Sequence, residues 1–181
     1  MRSFKVKRGR RSIRLKGYDY ASSGIYFVTI CAYERRCIFG DIWNRRTVTN
    51  VLGEIATDCW REIPAHFPHI RTDEFVVMPN HIHGLLVLDG RLWQNSEKPE
   101  YIAEFGKAVP GSIPTVIRTY KAAVTRQIRE IQACRVRVWQ RGYHERIVRN
   151  DNALHRVRRY ILNNPMMWNR DRLNGTNGDN P

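Results

Sequence analysis

Residues 75–88 decide the fold of this chain; they read FVVMPNHIHGLLVL. The pair His81 and His83 stands between two apolar runs. Side chains alternate between the two faces of a strand, so both imidazoles lie on one face of a strand predicted over 81–88. Both faces of that strand are apolar, which indicates a central, covered position. A second strand, over 72–78, precedes it after a short break at a proline.

The histidine pair has two interpretations at this point. Burying an imidazole without a partner costs about 1–3 kcal/mol, which Val or Leu would avoid, so a bound metal would explain both residues. Two satisfied core histidines are the alternative, and the His-x-His motif alone favours neither interpretation. The rest of the chain has to decide between them.

Composition predicts a single intracellular domain. A chain of 181 residues can bury a substantial core, and no apolar run approaches the length that spans a bilayer. The N-terminus is basic and lacks the apolar stretch of a signal peptide, so we expect a cytoplasmic protein without a membrane partner. The four cysteines are scattered without Cys-x-x-Cys spacing, which argues against a zinc knuckle and against a disulfide framework.

The charge predicts a polyanionic partner. Lysine and arginine number 31 against 17 acidic residues, for a net charge of +14. Residues 1–17 contain no acidic residue and are predicted to form a flexible basic arm. Further arginines between positions 118 and 159 surround Trp139, and basic grooves with stacking rings hold single strands, so we favour nucleic acid over membrane. The predicted DNA contacts are Arg8, Arg10, Arg11, Arg14, Lys121, Arg141, Tyr143, His144 and Arg149.

Hydrophobic periodicity predicts an α+β fold. The order of elements is that of a split βαβ sandwich, an antiparallel sheet with helices packed on it. We expect Ser112 to cap a helix and 89–111 to be a long loop. The predicted domain covers 18–169 and is followed by a polar tail over 170–181. The elements are strands over 25–30, 72–78 and 81–88, one or two strands within 136–148, and helices over 50–63, 113–132 and 150–164.

The last predicted helix carries a candidate reactive residue. Tyr160 lies at the edge of the apolar stripe, where its ring can pack on the sheet while its hydroxyl points toward the sheet surface. Asn164 lies one turn further along the same face. An edge tyrosine is usually only a packing residue, and an asparagine before proline commonly forms a cap or a turn. Both interpretations stay open on these residues alone.

Five segments, spread over most of the chain, follow one another in a characteristic order. They are YFVTI at 26–30, MPNHIHG at 78–84, WQR at 139–141, IVRN at 147–150 and YILNNP at 160–165. In these segments and their order the chain resembles the REP-associated tyrosine transposases. These belong to the IS200-like group of HUH single-tyrosine transposases.

The resemblance implies a ferredoxin-like domain of the HUH endonuclease type. Such a domain cleaves and rejoins single-stranded DNA beside imperfect palindromes, the REP-like hairpins of bacterial genomes, in DNA transposition and recombination. It implies Tyr160 as the nucleophile and Mg²⁺ or Mn²⁺ held by His81, His83 and Asn164, with Asn163 as the alternative third ligand. The product would be a 5′-phosphotyrosine and a free 3′-hydroxyl. The resemblance also favours a monomer over a homodimer.

Two other functions stay open on the sequence. One is a metal-dependent nuclease that uses water as its nucleophile and leaves no covalent adduct. The other is a non-catalytic module that holds hairpin DNA without breaking it. The intact set of His81, His83 and Tyr160 argues against the second.

Overall fold

A computed structural model describes residues 22–90, 109–133 and 136–174. The predicted basic arm over 1–17 lies outside the described residues, and with it Arg8, Arg10, Arg11 and Arg14. Most of the predicted loop, residues 91–108, and positions 175–181 of the predicted tail also lie outside them. Among the described residues, no helix is both long enough and apolar enough to cross a membrane.

The core of the fold is a four-stranded antiparallel sheet, whose strands in spatial order are β4 (Ile70–Met78), β5 (His81–Leu88), β1 (Gly24–Cys31) and β6 (His144–Val148). Strand β5 carries the histidines and pairs with β1 on one side and β4 on the other, so its predicted central position is confirmed.

The helices lie close to their predicted positions. Asn50 and Asn150 cap two of them by accepting hydrogen bonds from backbone N–H groups of the first turn. Ser112 is the N-cap residue of a third helix, as predicted, but its hydroxyl donates to the carbonyl of Val109, 2.7 Å away, and makes no cap hydrogen bond to the first turn. The helices are α1 (Val51–Arg61), α2 (Ile63–His66), α3 (Ile113–Gln132) and α4 (Asp151–Asn163), with 3₁₀ helices Tyr33–Arg35 and Pro165–Arg170.

Helices cover both faces of the sheet, and the α+β sandwich is confirmed. The larger core lies on the face of α1 and α3, where Ile82 and Leu86 of β5 are fully buried. The smaller core lies on the opposite face, where Leu85 packs with Leu154 and Ile161 of α4. The alternation of side chains along β5 therefore divides the two cores, as the sequence pattern predicts.

A short hairpin precedes α1, and the sequence pattern missed it. Its strands are β2 (Gly40–Trp43) and β3 (Arg46–Thr49), joined by Asn44 and Arg45. Both turn residues have positive φ, 48° and 62°, as a type I′ turn requires. The turn lacks the glycine that usually marks this type, and strands of four residues are too short for a clear alternation.

Gly84 allows β5 to pack tightly against α1, and its replacement is expected to destabilise the fold. A Cβ at this position would lie 2.3 Å from Cζ2 of Trp60, a fully buried ring. We expect Gly84→Ala to lower the free energy of unfolding by about 1–3 kcal/mol, measured by urea denaturation. The double variant with Trp60→Phe removes the clashing ring, so its loss should be smaller than the sum of the single losses. Additive losses would contradict the packing argument.

Candidate active site

The sheet brings the histidines and β1 residues into one row. Cys31 lies opposite His81, and Thr29 lies opposite His83. The two imidazole rings are 4.4 Å apart between centroids and nearly buried, with exposed fractions of 0% and 2%. Helix α4 crosses the same face and places the Tyr160 hydroxyl 3.1 Å from Nε2 of His83. The structure therefore brings together the histidine pair and the predicted nucleophile.

The orientation and protonation of His81 follow from Asn80. The Asn80 amide nitrogen donates to two backbone carbonyls, those of Arg35 at 3.1 Å and Leu173 at 2.7 Å. Its oxygen must therefore face Nδ1 of His81, which lies 2.7 Å away and donates the hydrogen. Nε2 of His81 is left with a lone pair, the state in which an imidazole binds a metal.

Both ring nitrogens of His83 have polar neighbours. Nδ1 lies 2.8 Å from Oγ1 of Thr29, and Nε2 faces the Tyr160 hydroxyl. A proton on Nδ1, donated to the threonine oxygen, leaves Nε2 available as an acceptor or as a metal ligand. Thr29 is thus the partner that can orient the second imidazole.

Burial keeps both imidazoles neutral at neutral pH. Desolvation, with a contribution from Arg35, lowers the pKa of His81 from 6.5 to about 3. Desolvation also lowers the pKa of His83 to about 3, and the neighbouring His81 adds to the shift. Unprotonated nitrogens with available lone pairs are what a metal requires of histidine.

Asp171 completes a cluster that the sequence interpretation missed. One potential ligand atom from each of His81, His83 and Asp171 lies within 4.8 Å of the other two. The carboxylate Oδ2 is 3.9 Å from Nε2 of His81, and the side chain is only 7% exposed. Two imidazoles and a carboxylate are a donor set that a divalent metal accepts.

The segment that carries Asp171 was predicted to be part of a polar tail. Residues 170–174 instead pack against the domain. The carbonyl of Leu173 accepts from Asn80, the carbonyl of Arg172 accepts from Arg35, and the Asn174 amide donates to the carbonyl of Trp168. Trp168, whose ring lies 6.0 Å from that of His81, already belongs to the predicted domain, and the polar residues 169–172 that follow it give no sequence signal for a longer folded region.

Asn164 lies at the end of α4, and its side-chain oxygen is buried in an unusual environment. The residue is 2% exposed, and its Oδ1 is buried without a hydrogen-bond partner among the described residues. Burial and Asp171 raise the pKa of the Tyr160 phenol, whereas a hydrogen bond from Asn164 lowers it. A buried amide oxygen that lacks a donor is costly unless something else binds it, so Asn164 fits a metal-ligand role.

The predicted DNA contacts differ in their environments. Lys121 donates to the carbonyls of Gln140 and Gly142 at 2.8 and 2.6 Å, and Tyr143 donates to Glu145 at 2.7 Å. These bonds hold the turn before β6. Arg141, His144 and Arg149 are exposed around that strand.

Trp139 does not offer the exposed stacking ring that we expected. It is 9% exposed and packs against Phe39, with ring centroids 5.2 Å apart, and against Tyr120. Its edge lines a pocket of about 570 Å³ together with Lys121, Arg126 and other residues of α3. Trp139 is therefore a core residue at the edge of this pocket, and the predicted basic groove stays a prediction.

Comparisons with known proteins connect the chain to one relative and to solved folds. No family model matches the chain. An uncharacterised protein of Haemophilus influenzae is 40% identical over 167 residues, which cover 91% of this chain and 92% of the relative. A putative transposase from Deinococcus radiodurans has a TM-score of 0.46 at 17% identity, over 87% of this chain and 97% of that structure.

A REP-associated tyrosine transposase bound to a REP hairpin matches with a TM-score of 0.50 at 16% identity, over 90% of this chain and 74% of that structure. The antiparallel four-stranded sheet with helices packed on it matches the fold of that protein, as the sequence resemblance implies. The chain thus belongs to the family of the Haemophilus influenzae protein and has the fold of the REP-associated tyrosine transposases.

Proposed function

We propose that this protein is a metal-dependent single-stranded DNA transesterase that binds palindromic hairpin DNA and cleaves and rejoins strands through a 5′-phosphotyrosine intermediate. One observation carries the proposal. The Tyr160 hydroxyl lies 3.1 Å from Nε2 of His83, in the same cluster as His81 and Asp171. A nucleophile beside a buried set of metal ligands is the arrangement that phosphoryl transfer needs.

The residues of this chain fit a divalent cation. Nε2 of His81, Nε2 of His83 and the Asp171 carboxylate would hold it, with the Asn164 oxygen as a further ligand. Oxygen ligands suit Mg²⁺ and Mn²⁺, and imidazole nitrogens favour first-row transition metals, so Mn²⁺ satisfies both. When bound, the cation would supply charge neutralisation at a nonbridging oxygen of the scissile phosphate.

Tyr160 would make and break the phosphoester bonds. Its hydroxyl oxygen attacks the phosphorus, the bond from phosphorus to the 3′-oxygen breaks, and the phenolic proton is balanced by the proton that the 3′-oxygen takes up. One phosphoester replaces another, so no ATP is needed. Attack by a 3′-hydroxyl on the phosphotyrosine reverses the step and joins strands.

The surroundings of α4 favour a reaction within one chain. Arg158 forms two hydrogen bonds to Asp73 of β4, at 2.6 and 3.0 Å, and ties the helix to the sheet. The Tyr160 ring packs edge-on against Phe27, with centroids 5.9 Å apart. Because the tyrosine already contacts His83 of its own chain, we propose a monomer in which Tyr160 acts in cis.

The open part of the site face offers a path for the DNA backbone. His144 lies opposite Thr29, and Arg146 lies opposite Phe27, so both belong to the face that carries the histidines. Both are exposed. We propose that this edge of the sheet contacts phosphates near the cleavage point. The further proposed contacts are Lys121, Arg141, Tyr143, Arg149 and the arm residues Arg8, Arg10, Arg11 and Arg14.

The test is a denaturing gel of protein incubated with Mn²⁺ and 3′-labelled single strands that carry palindromes from the source genome. We expect a labelled band of protein size, because attack by tyrosine leaves the downstream strand on the protein. A matched strand with a scrambled stem should give much less of it. Cleavage without the band would favour water as the nucleophile, and binding with neither product would favour a non-catalytic module.

A further inference from the structure

The β2–β3 hairpin presents an exposed aromatic and basic surface. Trp43 is 71% exposed, and its cross-strand partner Arg46 and the turn residue Arg45 are exposed beside it. Trp43 and Arg46 project from the outer face of the hairpin, which also carries Val48, 53% exposed. A tryptophan this exposed on a well-formed hairpin contributes little to the core.

The root of the hairpin lies beside the candidate active site. The backbone N–H of Phe39, next to β2, donates to the carbonyl of Pro79, two residues before His81. On the inner face, Thr47 lies 3.8 Å from the sulfur of Met78, which pairs with His81 across the sheet. Trp43 is four positions from Phe39 in the chain, so its Cα lies within about 13 Å of the Cα of Phe39 at the root of the hairpin.

The hairpin also adjoins the segment that follows the tyrosine helix. Strand β3 contacts the 3₁₀ helix Pro165–Arg170. That helix exposes about half of Met166 and Met167. The hairpin thus contacts the 3₁₀ helix that directly follows the helix carrying Tyr160.

We propose that Trp43, Arg45 and Arg46 form a contact for the unpaired strand that enters or leaves the cleavage site. The indole would stack on a base, and the two guanidinium groups would pair with adjacent phosphates. The proposal rests on the proposed function for the nature of the substrate. It adds a binding element outside the histidine and tyrosine cluster.

Charge favours nucleic acid over a protein partner for this surface. Two of the four residues from 43 to 46 are arginines, and the chain carries a net charge of +14. A base can stack on a single exposed ring, whereas a protein interface buries a larger apolar patch in which Val48 would take part. Replacement of Trp43 alone is therefore expected to weaken nucleic-acid binding, whereas a protein interface would depend on Val48 as well.

The test measures the affinity of fluorescein-labelled oligothymidylate by anisotropy, in EDTA so that no cleavage occurs. Stacking on a ring is tolerant of base identity, so this probe does not depend on a palindrome. We expect Trp43→Ala to weaken binding by about fivefold or more, from a stacking energy of about 1–3 kcal/mol, and Trp43→Phe to restore most of it. We expect Arg46→Gln to reduce the salt dependence of the affinity by about one phosphate contact.

Val48→Ala is the matched control, because it removes an exposed apolar side chain from the same face of the hairpin. It should leave oligothymidylate binding within about twofold of wild type. Wild-type affinity in Trp43→Ala, or an equal loss in both variants together with a change of oligomeric state by light scattering, would overturn the proposal. If no covalent adduct forms but the oligothymidylate affinities change as expected, the proposed function is contradicted and the strand contact at Trp43 is still supported.

Discussion

Tyr160→Phe is expected to eliminate the protein-linked DNA band and to reduce strand cleavage by about 10³-fold or more, because the variant lacks the attacking oxygen. The substitution removes one hydroxyl and keeps the ring that packs edge-on against Phe27. Asn150, which caps α4, and the Arg158–Asp73 pair are not touched. The fold and the affinity for hairpin DNA should therefore be unchanged.

The measurement is the denaturing gel with 3′-labelled strands and Mn²⁺, run beside a binding assay of the same variant. Tyr33→Phe is a suitable control, since Tyr33 is also partly buried and contacts Arg137 rather than the histidines. It should form the adduct as the wild type does. If Tyr160→Phe still cuts and leaves a free 5′-phosphate, water is the nucleophile and the transesterase proposal is wrong.

The sequence predicted those parts of the molecule whose signals are local. The alternation over 81–88 defined both faces of the central strand, and the 3.6-residue period with Asn150 defined α4. Because these patterns come from side chains a few positions apart, they identify an element without knowledge of its neighbours. The approach of Tyr160 to His83 followed from placing those two elements on one sheet face, as the family resemblance implies.

Asp171 could not be identified in this way, because its position depends on contacts between distant parts of the chain. Asn80 binds the carbonyl of Leu173, 93 positions away, and no periodic pattern connects the two. The burial of Trp139 could not be predicted for the same reason. A tryptophan among arginines is consistent with a nucleic-acid contact, and only the packing with Phe39 and Tyr120 shows that the ring belongs to the core.

His81→Ala is expected to abolish Mn²⁺-dependent cleavage and the thermal stabilisation that Mn²⁺ gives to the wild type. The variant removes a buried nitrogen whose lone pair is directed into the cluster, and a metal bound only to the folded state stabilises it by about 2.7 kcal/mol at 100 times its Kd. Differential scanning fluorimetry with and without Mn²⁺ measures this stabilisation as a shift of the melting temperature. Hairpin affinity in EDTA should persist, because His81 is not one of the proposed DNA contacts and the variant leaves all of those side chains in place.

Asp171→Asn tests whether the carboxylate belongs to the same metal site. The amide has nearly the same shape but lacks the charge, so we expect Mn²⁺ affinity to fall by about tenfold or more while the metal-free fold is retained. Asp151→Asn, in the first turn of α4 and outside the cluster, should leave Mn²⁺ affinity unchanged. Normal affinity in Asp171→Asn combined with a loss in Asn164→Ala would assign the oxygen ligand to Asn164 alone.

Normal cleavage in His81→Ala would contradict the metal proposal itself. Nε2 of His81 has no hydrogen-bond partner among the described residues, and the proposal explains this buried nitrogen as a metal ligand.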